Sequence, residues 1–142
     1  MRSLRAASRA KALKRAAEVP RPELTGARFV TPPQTEGALL RARGLVTSET
    51  GFHPTHPFHT GSGDHVNAAQ LFDCALQLAS FVFNHENMGA RCVSGAARFS
   101  RFVELDVPFE TQTRVRERTL ETTVTQLGRD NCSIEMTFDA ER

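Results

Sequence analysis

Residues 66–83 read VNAAQLFDCALQLASFVF, and this segment is the strongest indicator of the fold in the sequence. Wound as an α-helix, it is apolar on most sides, because its polar residues fall on one line at spacings of three and four. That line consists of Gln70, Asp73, Gln77, Ser80 and Asn84. The same polar residues argue against a membrane span, which needs about eighteen or more apolar residues with few charges. The sequence therefore predicts a long buried helix that the rest of the chain encloses.

Two strands and a loop are predicted before this helix. The first strand, 27–31, ends at Pro32 and Pro33, because proline cannot donate to a strand ladder. The second, 37–47, alternates imperfectly between apolar and polar residues. The loop 47–63 is rich in proline and glycine, which favours turns over a continuous strand.

Three β segments are predicted after the helix, at 92–109, 111–127 and 131–140. Pro108 marks the first break, and residues 128–131, which read GRDN, form the second turn. Short turns make neighbouring strands antiparallel. A helix that is apolar on most sides is best buried by a sheet that curls around it. The expected fold is α+β, namely the hotdog fold, in which a curved antiparallel sheet wraps a long central helix.

Charge divides the chain into two parts. Residues 1–21 contain seven Lys or Arg against the single Glu18, whereas the rest of the 142 residues is acidic on balance. We predict a basic N-terminal arm at 1–22, as a solvent-facing helix or a partly disordered segment, and one hotdog domain at 23–142. The arm could contact an anionic membrane surface, an acidic carrier protein or only its own domain. Nucleic acid is not expected, because the chain has no Trp or Tyr and no basic stripe interleaved with aromatics.

Neither the cysteines nor the histidines are sufficient to predict a metal or other cofactor. Cys74, Cys92 and Cys132 are odd in number and contain no CxxC pair, so neither a disulfide framework nor a zinc site is predicted. The N-terminus lacks a secretion signal, and a cytoplasmic location is expected. The spacing of His53, His56 and His59 is compatible with metal ligands, but the intervening prolines exclude a regular helix there.

The start of the helix carries the candidate site. Asp64, His65 and Asn67 precede or begin it, and the backbone N–H groups of Ala68 and Ala69 have no partner within the helix. Such an end is electropositive and can polarise an acyl carbonyl. Two structural alternatives stay open. Asn67 with the following Gln70 can be a capping box alone, and Asp64 can complement the helix dipole instead of orienting His65 as a base.

A resemblance sharpens this hypothesis. The motif HxNAxxL at 65–71, followed by QLA at 77–79, resembles the start of the central helix in the FcoT-like thioesterases, a hotdog family that acts on long-chain acyl thioesters. The resemblance is dense over about twenty residues. In addition, residues 97–102, ARFSRF, are similar to the strand that follows the helix in hotdog dehydratases and thioesterases.

The resemblance implies roles for individual residues. Asn67 takes the position of an Asn thought to orient the hydrolytic water or the thioester carbonyl. His59 takes the position of a Tyr eight residues earlier, and an imidazole accepts a proton at neutral pH more readily than a phenol does. Relatives of this family are also implicated in adding an amine such as glycine to an α,β-unsaturated acyl thioester, which a basic His59 would suit.

Further candidates lie outside this motif. Arg41 and Arg43 share one face of the second strand and could bind a substrate carboxylate or carrier phosphates, although exposure to solvent is the alternative. Asp73 belongs to the polar line of the helix, where a subunit-facing role competes with catalysis. Cys74 is expected to fill the core, because burial suppresses thiol reactivity.

The sequence thus predicts a hydrolase of a fatty acyl thioester of coenzyme A or acyl carrier protein, with or without amine addition. Two alternatives are an enoyl-thioester hydratase or dehydratase that uses Asp73, and a hotdog module that binds an acyl ligand without turnover. A homodimer or higher homo-oligomer is expected, because domains of this fold commonly associate in pairs.

Overall fold

The computed structural model describes residues 4–25, 28–48, 65–83 and 92–139. Within these ranges the chain forms two helices, α1 (Leu4–Ala16) and α2 (Ala68–Val82). It also forms six strands: β1 (Gln34–Glu36), β2 (Leu39–Gly44), β3 (Cys92–Phe99), β4 (Phe109–Arg116), β5 (Thr119–Gln126) and β6 (Arg129–Phe138). Neither described helix combines the length and apolar character that crossing a membrane requires.

The six strands make one antiparallel sheet in the order β1-β2-β4-β5-β6-β3. Helix α2 packs on this curved sheet through residues spaced three and four apart, namely Leu71, Cys74, Ala75, Leu78 and Ala79. The strands bury alternate positions in the same core, among them Leu120, Val124, Ile134, Met136 and Phe138. Gly44 permits close packing, because a Cβ there would overlap the ring of Phe109. The predicted α+β arrangement is confirmed.

The sequence prediction missed one hairpin. Residues 111–127 were expected to form a single strand, but Arg116 pairs with Thr119 across a two-residue turn, which separates β4 from β5. Glu117 in this turn has a positive φ of 53°, a conformation that usually attracts Gly or Asn. The residue types in this turn therefore do not predict it from the sequence. The ion pair between Arg116 and Glu121, at 2.7 Å, joins the two strands beside the turn. This ion pair stabilises the turn in the folded chain and could not be foreseen from the sequence.

A second expectation, one strand over 92–109, is also wrong. β3 ends at Phe99, and residues 100–108 form a connection outside the strand ladder. Asn131 holds the start of this connection, since its backbone oxygen accepts from Ser100 N and its side chain donates to Phe102 O at 2.8 Å. The Gln126 side chain donates to the backbone oxygens of Glu104 and Val107. Two buried polar side chains thus divert the chain from the ladder.

The predicted first strand is reduced to one bridge in the described part of 27–31. Val30 pairs with Gly44, and Thr31 N donates to Arg43 O at 2.8 Å. The chain forms its short edge strand, β1, only after Pro32 and Pro33. The strand therefore begins several residues later than predicted, because neither proline can donate a hydrogen bond to the ladder.

Helix α1 contacts the body of the protein through arginines. Arg5 binds the Glu104 carboxylate with two nitrogens, one of them at 2.8 Å. Arg9 donates to Glu104 at 3.2 Å and to the Leu105 carbonyl at 3.1 Å, and lies 3.3 Å from Asp106. Glu104 is only 6% exposed. These ion pairs, together with the buried Ala16 at the end of the helix, hold the arm against the domain.

Candidate functional site

The N-terminus of α2 is fixed by a reciprocal pair of hydrogen bonds. Asn67 has an extended backbone, with φ −85° and ψ 167°, and its Oδ1 accepts from Gln70 N at 2.9 Å. Gln70 Oε1 in turn accepts from Asn67 N at 3.0 Å. This is the predicted capping box. Ala68 and Ala69 then begin the helix, where the first backbone N–H groups have no intrahelical acceptor.

The residues before the cap are tied to the connection 100–108. Val66 N donates to Val103 O at 2.7 Å, and His65 forms an isolated antiparallel bridge with Glu104. The imidazole of His65 lies against the ring of Phe102, with 4.5 Å between ring centroids and a tilt of 39°. The half-buried imidazole is thereby held next to the start of the helix.

A pocket of about 470 Å³ opens at this point. Its lining is mainly apolar and comprises His65, Val66, Asn67, Ala68, Leu71, Phe99, Ser100, Arg101, Phe102 and Val103. The pocket unites three predicted site residues, His65, Asn67 and Ala68. Ala69 follows along the first turn but does not line it. The volume falls in the range of small-molecule pockets.

Not every predicted site residue meets here. His59 and Asp64 lie outside the described residues, as do His53 and His56. Arg41 and Arg43 line a different groove of about 610 Å³, in which Arg41 pairs with Glu36 at 2.9 Å and Arg43 donates to the Pro20 carbonyl. Within the described part of the chain, no three His, Cys, Asp or Glu side chains come together as metal ligands.

Asp73 and Cys74 face opposite environments. Asp73 is exposed and accepts a long hydrogen bond from Gln77 Nε2 at 3.4 Å. Cys74 is 2% exposed, and burial, followed by the negative charge of Asp73, raises the pKa of its thiol far above the ordinary value. Burial also raises the pKa of Cys132 to about 11. Both cysteines therefore stay protonated at neutral pH, which agrees with a core role.

Sequence reasoning missed several residues of the pocket. Phe99, Arg101 and Phe102 belong to a segment that resembled a continuing strand, so no site role was assigned to them. The aromatic side chains of Phe99 and Phe102 were only a weak indication of a pocket, because a strand would have placed them on opposite faces. Only the departure of 100–108 from the ladder brings them to the start of α2.

Comparison with solved structures identifies the architecture. The PaaI protein of the E. coli phenylacetic acid degradation operon superposes with a TM-score of 0.59 at 11% identity, over 94% of this chain and 91% of that one. The Streptococcus mutans protein smu.793, bound to acetyl CoA, gives 0.57 at 13% identity, over 84% and 96%. A hypothetical thioesterase from Streptococcus pneumoniae, with coenzyme A, gives 0.54 at 13%, over 77% and 84%.

The chain has the hotdog fold. These likenesses confirm the predicted fold class, and at such low identity they show the fold alone. No family model matches the sequence, and no curated protein matches it either. The narrower FcoT-like assignment therefore stays a prediction from the helix motif.

Proposed function

We propose that this protein is a thioesterase that hydrolyses an acyl thioester of coenzyme A in the pocket at the start of α2. One observation carries the proposal: the open first turn of a buried helix faces an apolar pocket that also holds an imidazole. The solved hotdog structures with bound acetyl CoA or coenzyme A support the choice of substrate.

In this proposal the backbone N–H group of Ala68, the residue of the first turn that lines the pocket, donates to the thioester oxygen. Negative charge develops on that oxygen when water attacks the carbonyl carbon, and prepositioned donors stabilise it. Asn67 assists as a donor through Nδ2, because its Oδ1 already accepts from Gln70 N. The cap and the catalytic role are then compatible, since they use different atoms of one amide.

His65 is the general base of the proposed reaction, with His59 as the sequence-predicted alternative. The imidazole takes a proton from water as the water oxygen bonds to the carbonyl carbon. Collapse of the tetrahedral intermediate breaks the C–S bond, and the proton passes to the leaving sulfur. The products are a carboxylic acid and a free thiol.

Direct attack by water is favoured over an acyl-enzyme. Cys74 is buried with a raised pKa, which disfavours the thiolate that a nucleophile needs. Ser100 lines the pocket, but no base among the described side chains is hydrogen-bonded to its hydroxyl. Hydrolysis through Ser100 would lack the usual activating partner.

The finer predictions concern the acyl chain, the carrier and amine addition. A long chain and the addition of glycine rest on the FcoT-like resemblance of residues 65–79, and an acyl carrier protein is the alternative carrier. We also propose a homodimer, supported by β3, which pairs only with β6 among the described strands and leaves Val93 55% exposed. An unpaired edge with apolar side chains is a ready surface for a second copy.

The test incubates the full chain with saturated and α,β-unsaturated acyl-CoA, with and without glycine. Release of free thiol from both substrates supports the hydrolase. An adduct that retains glycine indicates amine addition, and addition of water across the double bond indicates a hydratase. Absence of turnover with tight binding of the acyl ligand would contradict the proposal and indicate a binding module.

A further inference from the structure

A second, basic groove adjoins the proposed acyl pocket. It has a volume of about 530 Å³ and lies between α1 and the end of the sheet. Arg101 and Phe102 line both cavities. A molecule that places its acyl group at the start of α2 can therefore continue over Phe102 into this groove.

The groove carries a surplus of positive charge. Lys11 and Arg15 extend from α1, and Arg101 and Arg129 extend from the body of the protein. Among the described residues, the side chains of Lys11, Arg101 and Arg129 have no carboxylate partner. Arg15 donates to the Leu127 carbonyl at 3.2 Å, which leaves its charge unneutralised.

Glu104 is the only acidic side chain among the described residues that line the groove, and two arginines already bind it. Arg5 and Arg9 both bind its carboxylate, and Arg9 also lies 3.3 Å from Asp106. These ion pairs hold α1 in place, so that Lys11 and Arg15 stand on the rim of the groove. The arm thus supplies positive charge beside the acyl pocket instead of extending into solvent.

We propose that this groove binds the phosphate groups of the nucleotide portion of coenzyme A. The inference rests on the proposed acyl-CoA hydrolysis and specifies its carrier. Clustered Arg and Lys side chains are suited to phosphate oxygens. A recessed cavity of this size suits a small ligand, whereas a carrier protein needs a broad surface of several hundred Å² on each partner.

The test compares two double variants of equal charge. The groove variant is Lys11→Ala with Arg129→Ala, and the control is Lys14→Ala with Arg114→Ala, whose side chains are exposed and lie outside the groove. Each pair takes one residue from α1 and one from a strand. Arg101 is left intact, because it also lines the proposed catalytic pocket.

We expect the groove variant to raise KM for an acyl-CoA about tenfold at low salt, which corresponds to about 1.4 kcal/mol, with kcat unchanged. Its KM for the matching acyl-pantetheine, which lacks the nucleotide and its phosphates, should equal that of the wild type. The control should behave as the wild type with both substrates. Adding salt to about 0.5 M should reduce the difference, because salt screens exposed charges.

Three outcomes would overturn the inference: an unchanged KM for acyl-CoA, an equal rise for acyl-pantetheine, or a loss confined to acyl-carrier-protein substrates. Direct titration with adenosine 3′,5′-diphosphate provides a readout that does not require turnover. If the wild type hydrolyses neither thioester, the proposed function fails. In that event, the nucleotide titration still tests the phosphate site. If the wild type and the control bind the nucleotide and the groove variant does not, the phosphate site is supported. If all three proteins bind it equally, the site is excluded.

Discussion

The guanidinium carbon of Arg5 lies 4.5 Å from the centroid of the Phe102 ring. The same ring contacts the His65 imidazole, also at 4.5 Å between centroids. Arg5 therefore links the N-terminal helix to a side of the proposed acyl pocket. Arg5 also binds the carboxylate of Glu104, and the backbone of Glu104 forms the isolated bridge with His65. The basic arm thus contacts the candidate site through two residues.

Replacing Arg5 should destabilise the fold. Arg5→Ala leaves the Glu104 carboxylate, which is largely buried, with Arg9 as its remaining arginine partner. We expect the free energy of unfolding to fall by about 2 kcal/mol, because a buried charge that loses a partner is costly. Urea denaturation measures the change. Lys14→Ala on the same helix is the control and should stay within about 0.5 kcal/mol of the wild type. An equally small effect of Arg5→Ala would refute the role of this ion pair.

Substitutions at Asn67 can separate helix capping from catalysis. Asn67→Ala should lower the free energy of unfolding by about 1 kcal/mol and also reduce activity. Asn67→Asp and Asn67→Ser retain an oxygen that caps the helix but lose the Nδ2 donor. We expect these two variants to remain stable while kcat/KM falls about a hundredfold.

Thermal unfolding and steady-state kinetics on the same preparations provide the comparison. If Asn67→Ser keeps both stability and full turnover, Asn67 is a cap alone. If Asn67→Ala is as stable as the wild type, the reciprocal bonds with Gln70 do not contribute in solution.

His65→Gln tests the assignment of the base. Glutamine retains hydrogen-bonding capacity but cannot accept a proton at neutral pH, so kcat should fall by about a hundredfold or more. His59→Gln, made in parallel, is the matched comparison. Loss of turnover in His59→Gln and its retention in His65→Gln would transfer the role to His59.

Thiol titration should show one accessible cysteine. Cys92 is exposed, whereas Cys74 and Cys132 are buried. The raised pKa of Cys74 and the Cys132 pKa of about 11 keep both thiols protonated at pH 8, and only thiolates react rapidly. A chromogenic disulfide reagent should therefore modify one thiol quickly, and the others only in denaturant. Cys92→Ser should remove the fast phase without loss of turnover. Any fast-reacting thiol that remains in that variant would contradict the described burial of Cys74 and Cys132.

The proposed dimer makes a prediction about the β3 edge. Val93→Glu places a charge on this exposed strand and should shift the protein from dimer to monomer in sedimentation experiments. Val115→Glu is the control, because Val115 lies on β4, within the sheet, and is 36% exposed. A wild-type protein that is monomeric at high concentration, or a dimer that both substitutions leave intact, would exclude this interface.

The sequence predicted the parts of the molecule that depend on local spacing. The line of polar residues three and four apart predicted the exposed side of α2 at Asp73, but Gln70 on that line is buried and the apolar Leu76 is exposed. Asn67 with Gln70 predicted the capping box that the structure contains. The β4–β5 hairpin escaped prediction, because Glu117 gives no local signal for its left-handed backbone. The division into an arm at 1–22 and a domain at 23–142 remains a prediction, although α1 contacts the body through Arg5 and Arg9.

The central helix, its cap and the antiparallel character of the sheet could be predicted from the amino-acid sequence, because periodicity, capping and short turns involve residues close together in the chain. The side chains that surround the start of that helix depend instead on the tertiary structure. Phe102 reaches His65 because Asn131 and Gln126 bind the backbone of 100–108 and divert it from the sheet. Arg5 binds Glu104 across a separation of 99 residues in the sequence. Such contacts depend on hydrogen bonds and ion pairs between distant residues, and no local pattern encodes them.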